Sequence, residues 1–291
     1  MAEHPVIDPG PVAETPLAVP PGGAAVIDLI ARGALDAELA ATVWRLVDDR
    51  VPVVIATPVV QDAMAMLDAL LGLVPEPRHP IELAGARETF DWLPQAGELG
   101  LPGASTRPDP AGPAVRPETT VLVARRIAPD DPSATWALAA RIAVRAATIG
   151  YGLLATIDAD SLETVLARLG APPVGLTEDE RSRLGVVLVL GRDDDAAVRV
   201  RAAHYVRPSA RDEHGHVQRL GPAVLATWDP IGRRFEHFGW GIVPELARRV
   251  GCRAGDFEID LEHRRALLDE SAAGVSPADP GTHLPDPSPR G

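Results

Sequence analysis

Three groups of residues in this chain have the types and spacing to do chemistry. Asp158 and Asp160 follow the apolar run L-L-A-T-I, where the carboxyl end of a strand in an open α/β sheet presents its ligands. Two carboxylates there could hold Mg²⁺ through water, but Asp160 also stands where a helix needs a cap, with Glu163 three residues on. His204, His214, His216 and His237 form a second group. The H-x-H pair at 214 and 216 lies in D-E-H-G-H, which reads as an exposed turn, and a metal site needs a third ligand at the right distance. The third group is the segment 57–64, T-P-V-V-Q-D-A-M, between a β-branched run and a helical period.

A phosphate-binding loop occupies that strand-to-helix position in mononucleotide-binding domains, because backbone N–H groups at the helix start cradle phosphate oxygens. Its pattern is G-x-x-x-x-G-K-[ST]. Here Thr57, Asp62, Ala63 and Met64 occupy the two glycine, the lysine and the hydroxyl positions. No other register restores the pattern, since the chain contains no lysine. Asp62 adds a carboxylate that repels phosphate. An ordinary buried strand, turn and helix without a nucleotide is the expectation.

Composition narrows the classes further. The basic groups number 28, all arginine, against 41 acidic ones, for a formal charge of −13, which disfavours nucleic acid and anionic membrane surfaces. One cysteine, Cys252, permits neither an internal disulfide nor a cysteine-based zinc site. There is no G-x-S-x-G elbow. The acidic, proline-containing start is unlike a signal peptide, and no apolar run reaches the length of a membrane span; a cytoplasmic protein is expected. Asp130 and Asp131, after Arg125 and Arg126, read as loop and helix-start residues. Trp228, Phe235, Phe238 and Trp240 read as core or interface rather than a base-stacking platform, since no basic stripe surrounds them.

The elements that must position these residues alternate. Residues 51–72 are the organising unit: Val53, Val54 and Ile55 form a doubly buried strand, and Met64, Leu67, Leu70 and Leu71 recur at helical spacing. Upstream, Asp36 caps a helix whose stripe is Leu39, Val43, Leu46 and Val47. Further strands are expected at 81–84, 119–124, 153–157 and 185–190, with helices at 132–148 and 160–169 and a short one opened by the capping pair Thr177 and Glu180. Residues 198–206 alternate, and 217–228 can return as an antiparallel partner. The fold class is therefore α/β, a mostly parallel sheet covered on both faces with an antiparallel C-terminal edge. Residues 1–23 read as a flexible arm, 24–206 as the main domain with a long surface loop at 94–118, 207–270 as a strand and helix extension, and 271–291 as a disordered tail.

Over about residues 25–205 the order of segments resembles the RecA-like motor domain of type II/IV secretion ATPases. The stretches that carry the resemblance are L-I-A-R-G-A-L-D-A-E-L-A-A-T-V-W-R-L-V at 29–47, V-P-V-V-I-A before the loop, and G-Y-G-L-L-A-T-I-D-A-D-S-L-E at 150–163. The resemblance implies a RecA-like three-layer domain, and in the family ATP and Mg²⁺ at the phosphate loop. It implies a Gly-Glu strand end where this chain has Ala124 and Arg125, and a histidine where it has Asp158. With the loop lysine, the Mg²⁺ hydroxyl and the glutamate all replaced, charge neutralisation, metal anchoring and water activation are lost together. The expectation is an inactive relative that binds no cofactor. It would act as a structural or regulatory partner of an active secretion or pilus ATPase, of another component of such a machine, or of its own copies. One rival is retained ATP binding through arginines such as Arg125 and Arg126. The other is an unrelated enzyme with a pocket at Asp158 and Asp160, which clustering of both acids with Arg125 and a histidine in a concave site would favour. Scattered groups and an exposed aromatic stretch at 228–240 would favour the interaction role.

Overall fold

A computed structural model of the chain describes residues 17–103, 115–211 and 216–274. Most of the expected N-terminal arm (1–16) and tail (275–291), the middle of the 94–118 loop and His214 lie outside the described residues. The strands are β1 (Val53–Ala56), β2 (His79–Glu82), β3 (Thr120–Ile127), β4 (Gly152–Ile157), β5 (Gly185–Arg192), β6 (Val198–Val206), β7 (Ala210–Arg211), β8 (Val217–Gln218), β9 (Ala223–Asp229) and β10 (Arg234–His237). The helices are α1 (Ala24–Ala31), α2 (Ala37–Asp48), α3 (Val60–Leu71), α4 (Leu138–Thr148), α5 (Leu162–Gly170), α6 (Glu178–Arg181), α7 (Val243–Arg249) and α8 (Ala254–Ala273). Eight strands make one sheet in the order β10-β9-β6-β5-β1-β4-β3-β2, and β7 pairs separately with β8. From β5 to β2 all neighbours are parallel, and from β5 to β10 all are antiparallel.

The pleat sorts the core into two layers. Val53 and Ile55 face α1, α2, α3, α7 and α8, while Val54 and Ala56 face α4, α5 and the 83–101 segment. All four residues are buried, which is why β1 reads as a continuous apolar run without alternation. The chain leaves β1 along one face through α3 to the distant edge strand β2. It returns along the other face through α4 and α5, stepping over β1 to reach β5. The loops after β1 and β4 thus depart to opposite faces, so the switch point at which sheets of this kind carry a crevice lies between them at the carboxyl end.

Local signals set several boundaries. Asp36 caps α2, accepting from Leu39 N at 2.9 Å, and Thr177 with Glu180 forms a complete capping box at α6. Two expectations need correction. The helix expected from Pro132 begins at Leu138: Asp131 accepts from Ser133 N, Thr135 N donates to the Arg126 carbonyl, and Ala137 adopts φ 53°, so residues 132–137 are a pinned turn. The cap of α5 is Ser161, accepting from Thr164 N, and Asp160 instead accepts from the Ser161 and Thr164 hydroxyls.

Part of the stretch read as a loose arm is packed. Pro21–Gly23 forms a 3-10 turn in which a Cβ at Gly22 would lie 2.7 Å from Gly72 Cα, so two glycines let the backbones meet. Within the long loop, Ala96 and Leu99 are buried. Residues 223–237 continue the main sheet, and α8 lies along α2. No helix among the described residues is long and apolar enough to cross a membrane.

Candidate functional site

The crevice between the carboxyl ends of β1 and β4 is closed by the protein's own groups. Thr57 N donates to the Ile157 carbonyl at 3.1 Å, which ties the first residue after β1 to the last of β4. The Thr57 hydroxyl accepts from Val59 N at 3.1 Å and shapes the turn into α3. Asp62, in the first turn of α3, is buried and meets Arg192 at the end of β5. Arg192 Nε donates to Oδ2 at 3.0 Å and Nη2 to Oδ1 at 2.7 Å. This planar two-point pairing uses both carboxylate oxygens. The Asp62 carboxylate in turn raises the Arg192 pKa above its ordinary value.

Ala63 and Met64, at the positions of the loop lysine and hydroxyl, pack into the α1–α3 core layer. A phosphate placed here would meet a carboxylate already neutralised by an internal guanidinium, and two apolar side chains that face away from it. The helix macrodipole at α3 is spent on Asp62.

Arg125 and Arg126 diverge because successive residues of β3 point to opposite faces. Arg125 reaches Asp68 at 2.9 Å and Glu82 at 2.8 Å, on the α3 side. Arg126 instead grips Asp158, with Nε–Oδ1 at 3.1 Å and Nη2–Oδ2 at 2.5 Å, and also touches Asp131 at 3.1 Å. Hydrogen bonds to these carboxylates raise the pKa values of both arginines. Asp160 is held by Ser161 and Thr164, whose hydrogen bonds lower its pKa. Asp158 and Asp160 therefore have separate partners and do not converge with Arg125. Reading the sequence missed Arg126 as the partner of Asp158 and missed Arg192 altogether. Arg192 stands 130 residues from Asp62, and only the strand order brings them together.

The acids near the loop after β3 are similarly engaged. A cavity of about 430 Å³ is lined in part by Glu88, Asp130, Asp131 and Trp136. Glu88 accepts from Ala84 N, Phe90 N and Trp92 Nε1, and Asp131 holds Ser133 and Arg126. The Glu88 and Asp131 carboxylates build turns.

His204 and His237 have different surroundings. His204 on β6 is half-buried, and burial lowers its pKa against a smaller opposing effect from Glu163. His237 on β10 lies 2.7 Å from Asp36 Oδ2 and 3.4 Å from Glu38 Oε1. Burial pushes its pKa down, but the two carboxylates outweigh burial and leave it raised. Among the described residues no three His, Cys, Asp or Glu side chains are grouped to hold a metal ion. Cys252 is half-buried against the α1–α3 core layer.

The aromatic stretch divides. Trp228 and Phe235 pack on each other with centroids 5.0 Å apart, and Arg199 lies over Trp228 at 4.7 Å. Trp240, by contrast, is 79% exposed. The expected exposure of the 228–240 stretch therefore holds for Phe238 and Trp240 and not for Trp228 and Phe235. No protein-family model and no curated protein matches this chain.

Proposed function

We propose that the chain is a catalytically inactive relative of the type II/IV secretion ATPases, used as a structural or regulatory subunit that binds a protein partner. The observation that carries this reading is the two-point Asp62–Arg192 ion pair at the head of α3. By the resemblance Asp62 stands at a phosphate-loop position of the motor ATPases, and the pair satisfies both charges within the chain. The strand, turn and helix remain while the groups that would neutralise phosphate, anchor Mg²⁺ and orient water are replaced by Ala63, Met64 and Arg125. The α/β sheet with its crevice at the carboxyl end of β1 is compatible with a RecA-like ancestry. An acidic surface and an exposed tryptophan favour a protein partner over nucleic acid.

Calorimetric titration of the purified protein with ATP and with ADP, each with and without Mg²⁺ and carried to millimolar affinity, tests this reading. No saturable heat is expected in any of the four titrations. Saturable binding in any of them would overturn it, and loss of that binding on Arg125→Ala or Arg126→Ala would favour an arginine-based nucleotide site.

A further inference from the structure

The surface formed where β10, α7 and α8 meet the start of α2 carries a feature that the crevice does not explain. A groove of about 280 Å³ opens there. Its floor is aliphatic, from Leu39, Leu225, Leu246 and Leu261, and Trp240 stands at its edge. Trp240 is 79% exposed and makes no hydrogen bond among the described residues. A large aromatic side chain left in water beside an apolar trough is costly for a monomer and is the usual anchor of a protein interface.

The rim is acidic. Glu38, Glu258 and Glu262 border the groove, and its one arginine, Arg265, is shared between Glu262 at 2.8 Å and Glu38 at 3.7 Å. Glu258 is exposed and has no ion pair among the described residues. His237 also faces Glu38, and even when protonated it is paired with Asp36. The rim therefore keeps uncompensated negative charge around an apolar floor.

We infer that this groove is a docking site for a basic amphipathic helix of a protein partner, with an aliphatic side chain in the trough, Trp240 against its stem, and Lys or Arg side chains on Glu258 and Glu262. Charge complementarity selects this occupant. A lipid headgroup or nucleic acid would bring phosphates against the carboxylates, and a second copy of this chain would bring further negative charge. A helix supplies apolar anchors at i, i+3, i+4 and i+7, with charges on its flanks to meet the rim. The inference rests on the reading of the chain as a partner-binding subunit and identifies where and with what chemistry it binds.

The test uses the full chain and a fluorescein-labelled synthetic helix with leucine at i, i+3, i+4 and i+7 and lysine elsewhere, with anisotropy as the readout. A second peptide carries glutamate in place of each lysine. Micromolar binding of the lysine peptide is expected, with no binding of the glutamate peptide. Trp240→Ala should weaken binding about ten-fold or more. Glu258→Gln with Glu262→Gln should weaken it several-fold and flatten its salt dependence. Ile231→Ala, at an apolar residue 95% exposed in the β9–β10 turn, should leave binding unchanged. Unchanged melting curves for the variants show that these surface changes leave the fold intact.

Equal binding of the two peptides, wild-type affinity in Trp240→Ala, or equal losses in Trp240→Ala and Ile231→Ala would overturn the assignment. So would a dimer in sedimentation that Trp240→Ala dissolves, since a second copy would then be the occupant. ATP with Mg²⁺ titrated into the same preparation separates the two conclusions. Saturable nucleotide binding counts against the inactive-subunit reading, whereas peptide binding insensitive to Trp240 counts against the groove alone.

Discussion

Replacing Arg264 by alanine should weaken the packing of α8 on α2, and the size of the effect follows from its surroundings. The Arg264 side chain is 7% exposed. Its guanidinium lies 4.4 Å from the Trp44 ring centroid, with Nη1 2.6 Å from Asp48 Oδ2 and Nε 3.0 Å from Asp260 Oδ2. The contact with Asp48 is a close ion pair without hydrogen-bond alignment, since Nη1 finds no acceptor at a suitable angle. Asp260 keeps Arg45 at 2.8 Å when Arg264 is removed. Asp48, at the end of α2, is the group left stranded.

Removing one partner of a buried pair costs about 3–5 kcal/mol. Asp48 retains 19% side-chain exposure, so water replaces part of the lost contact and the expected loss is about 3 kcal/mol. For a domain of this size that corresponds to a fall in Tm of roughly 6–12 °C. Arg264→Lys keeps the charge but loses the planar stacking on Trp44, and should cost only about 1–2 kcal/mol.

The pH dependence gives a second signature. Burial raises the Asp48 pKa, and the opposing pull of Arg264 does not fully offset it. A carboxyl whose folded pKa is raised contributes stability that is complete below its unfolded value, and loses it as pH climbs through the folded value. Without Arg264 that loss deepens, so the deficit of Arg264→Ala relative to wild type should grow from acid to neutral pH. Urea denaturation followed by circular dichroism at several pH values measures both quantities. A deficit below about 1 kcal/mol, or one that does not change with pH, would refute the reasoning.

Three further outcomes rest on local geometry. His237 has a raised pKa because Asp36 and Glu38 outweigh its burial, so its contribution is complete below the ordinary imidazole value of about 6.5 and fades as pH rises through the higher folded value; the gap in Tm between wild type and His237→Ala should shrink over that interval. Gly85→Ala should destabilise by at least about 1–3 kcal/mol, because Gly85 has φ 65° and a Cβ there would lie 2.1 Å from the Ser133 carbonyl oxygen; a variant that melts with the wild type would contradict this. Thr177→Ala should cost about 1 kcal/mol by dissolving the capping box with Glu180, a loss that Thr177→Ser should largely recover in chemical denaturation.

The parts of the fold that were legible in the sequence are those fixed within a few residues. The Asp36 cap, the Thr177–Glu180 box and the β-branched core of β1 are each written in adjacent positions. The start of α4 was misread because it depends on Thr135 N reaching the Arg126 carbonyl and on a left-handed Ala137, neither of which has a side-chain signature. At α5 two neighbouring residues, Asp160 and Ser161, could each cap, and only the backbone geometry decides between them. The candidate site divides in the same way. The absence of a phosphate-loop pattern at 57–64 could be read directly, whereas the partner of Asp62 could not. Nothing near Asp62 announces Arg192, and nothing in the aromatic cluster says that Trp228 and Phe235 are packed while Trp240 is bare.

The position of β1 also has a consequence for how the chain reaches this state. Its neighbours in the sheet are residues 154–157 on one side and 186–189 on the other, so its backbone hydrogen bonds wait on loop closures of 101 residues (Val53 to Leu154) and 133 residues (Val53 to Val186). Contacts of such separation make for slow folding. During synthesis, the most apolar strand of the protein emerges well before either of its partners and stays exposed until they follow. A fragment ending after α4 would present V-V-I-A as an open strand edge and should aggregate rather than fold.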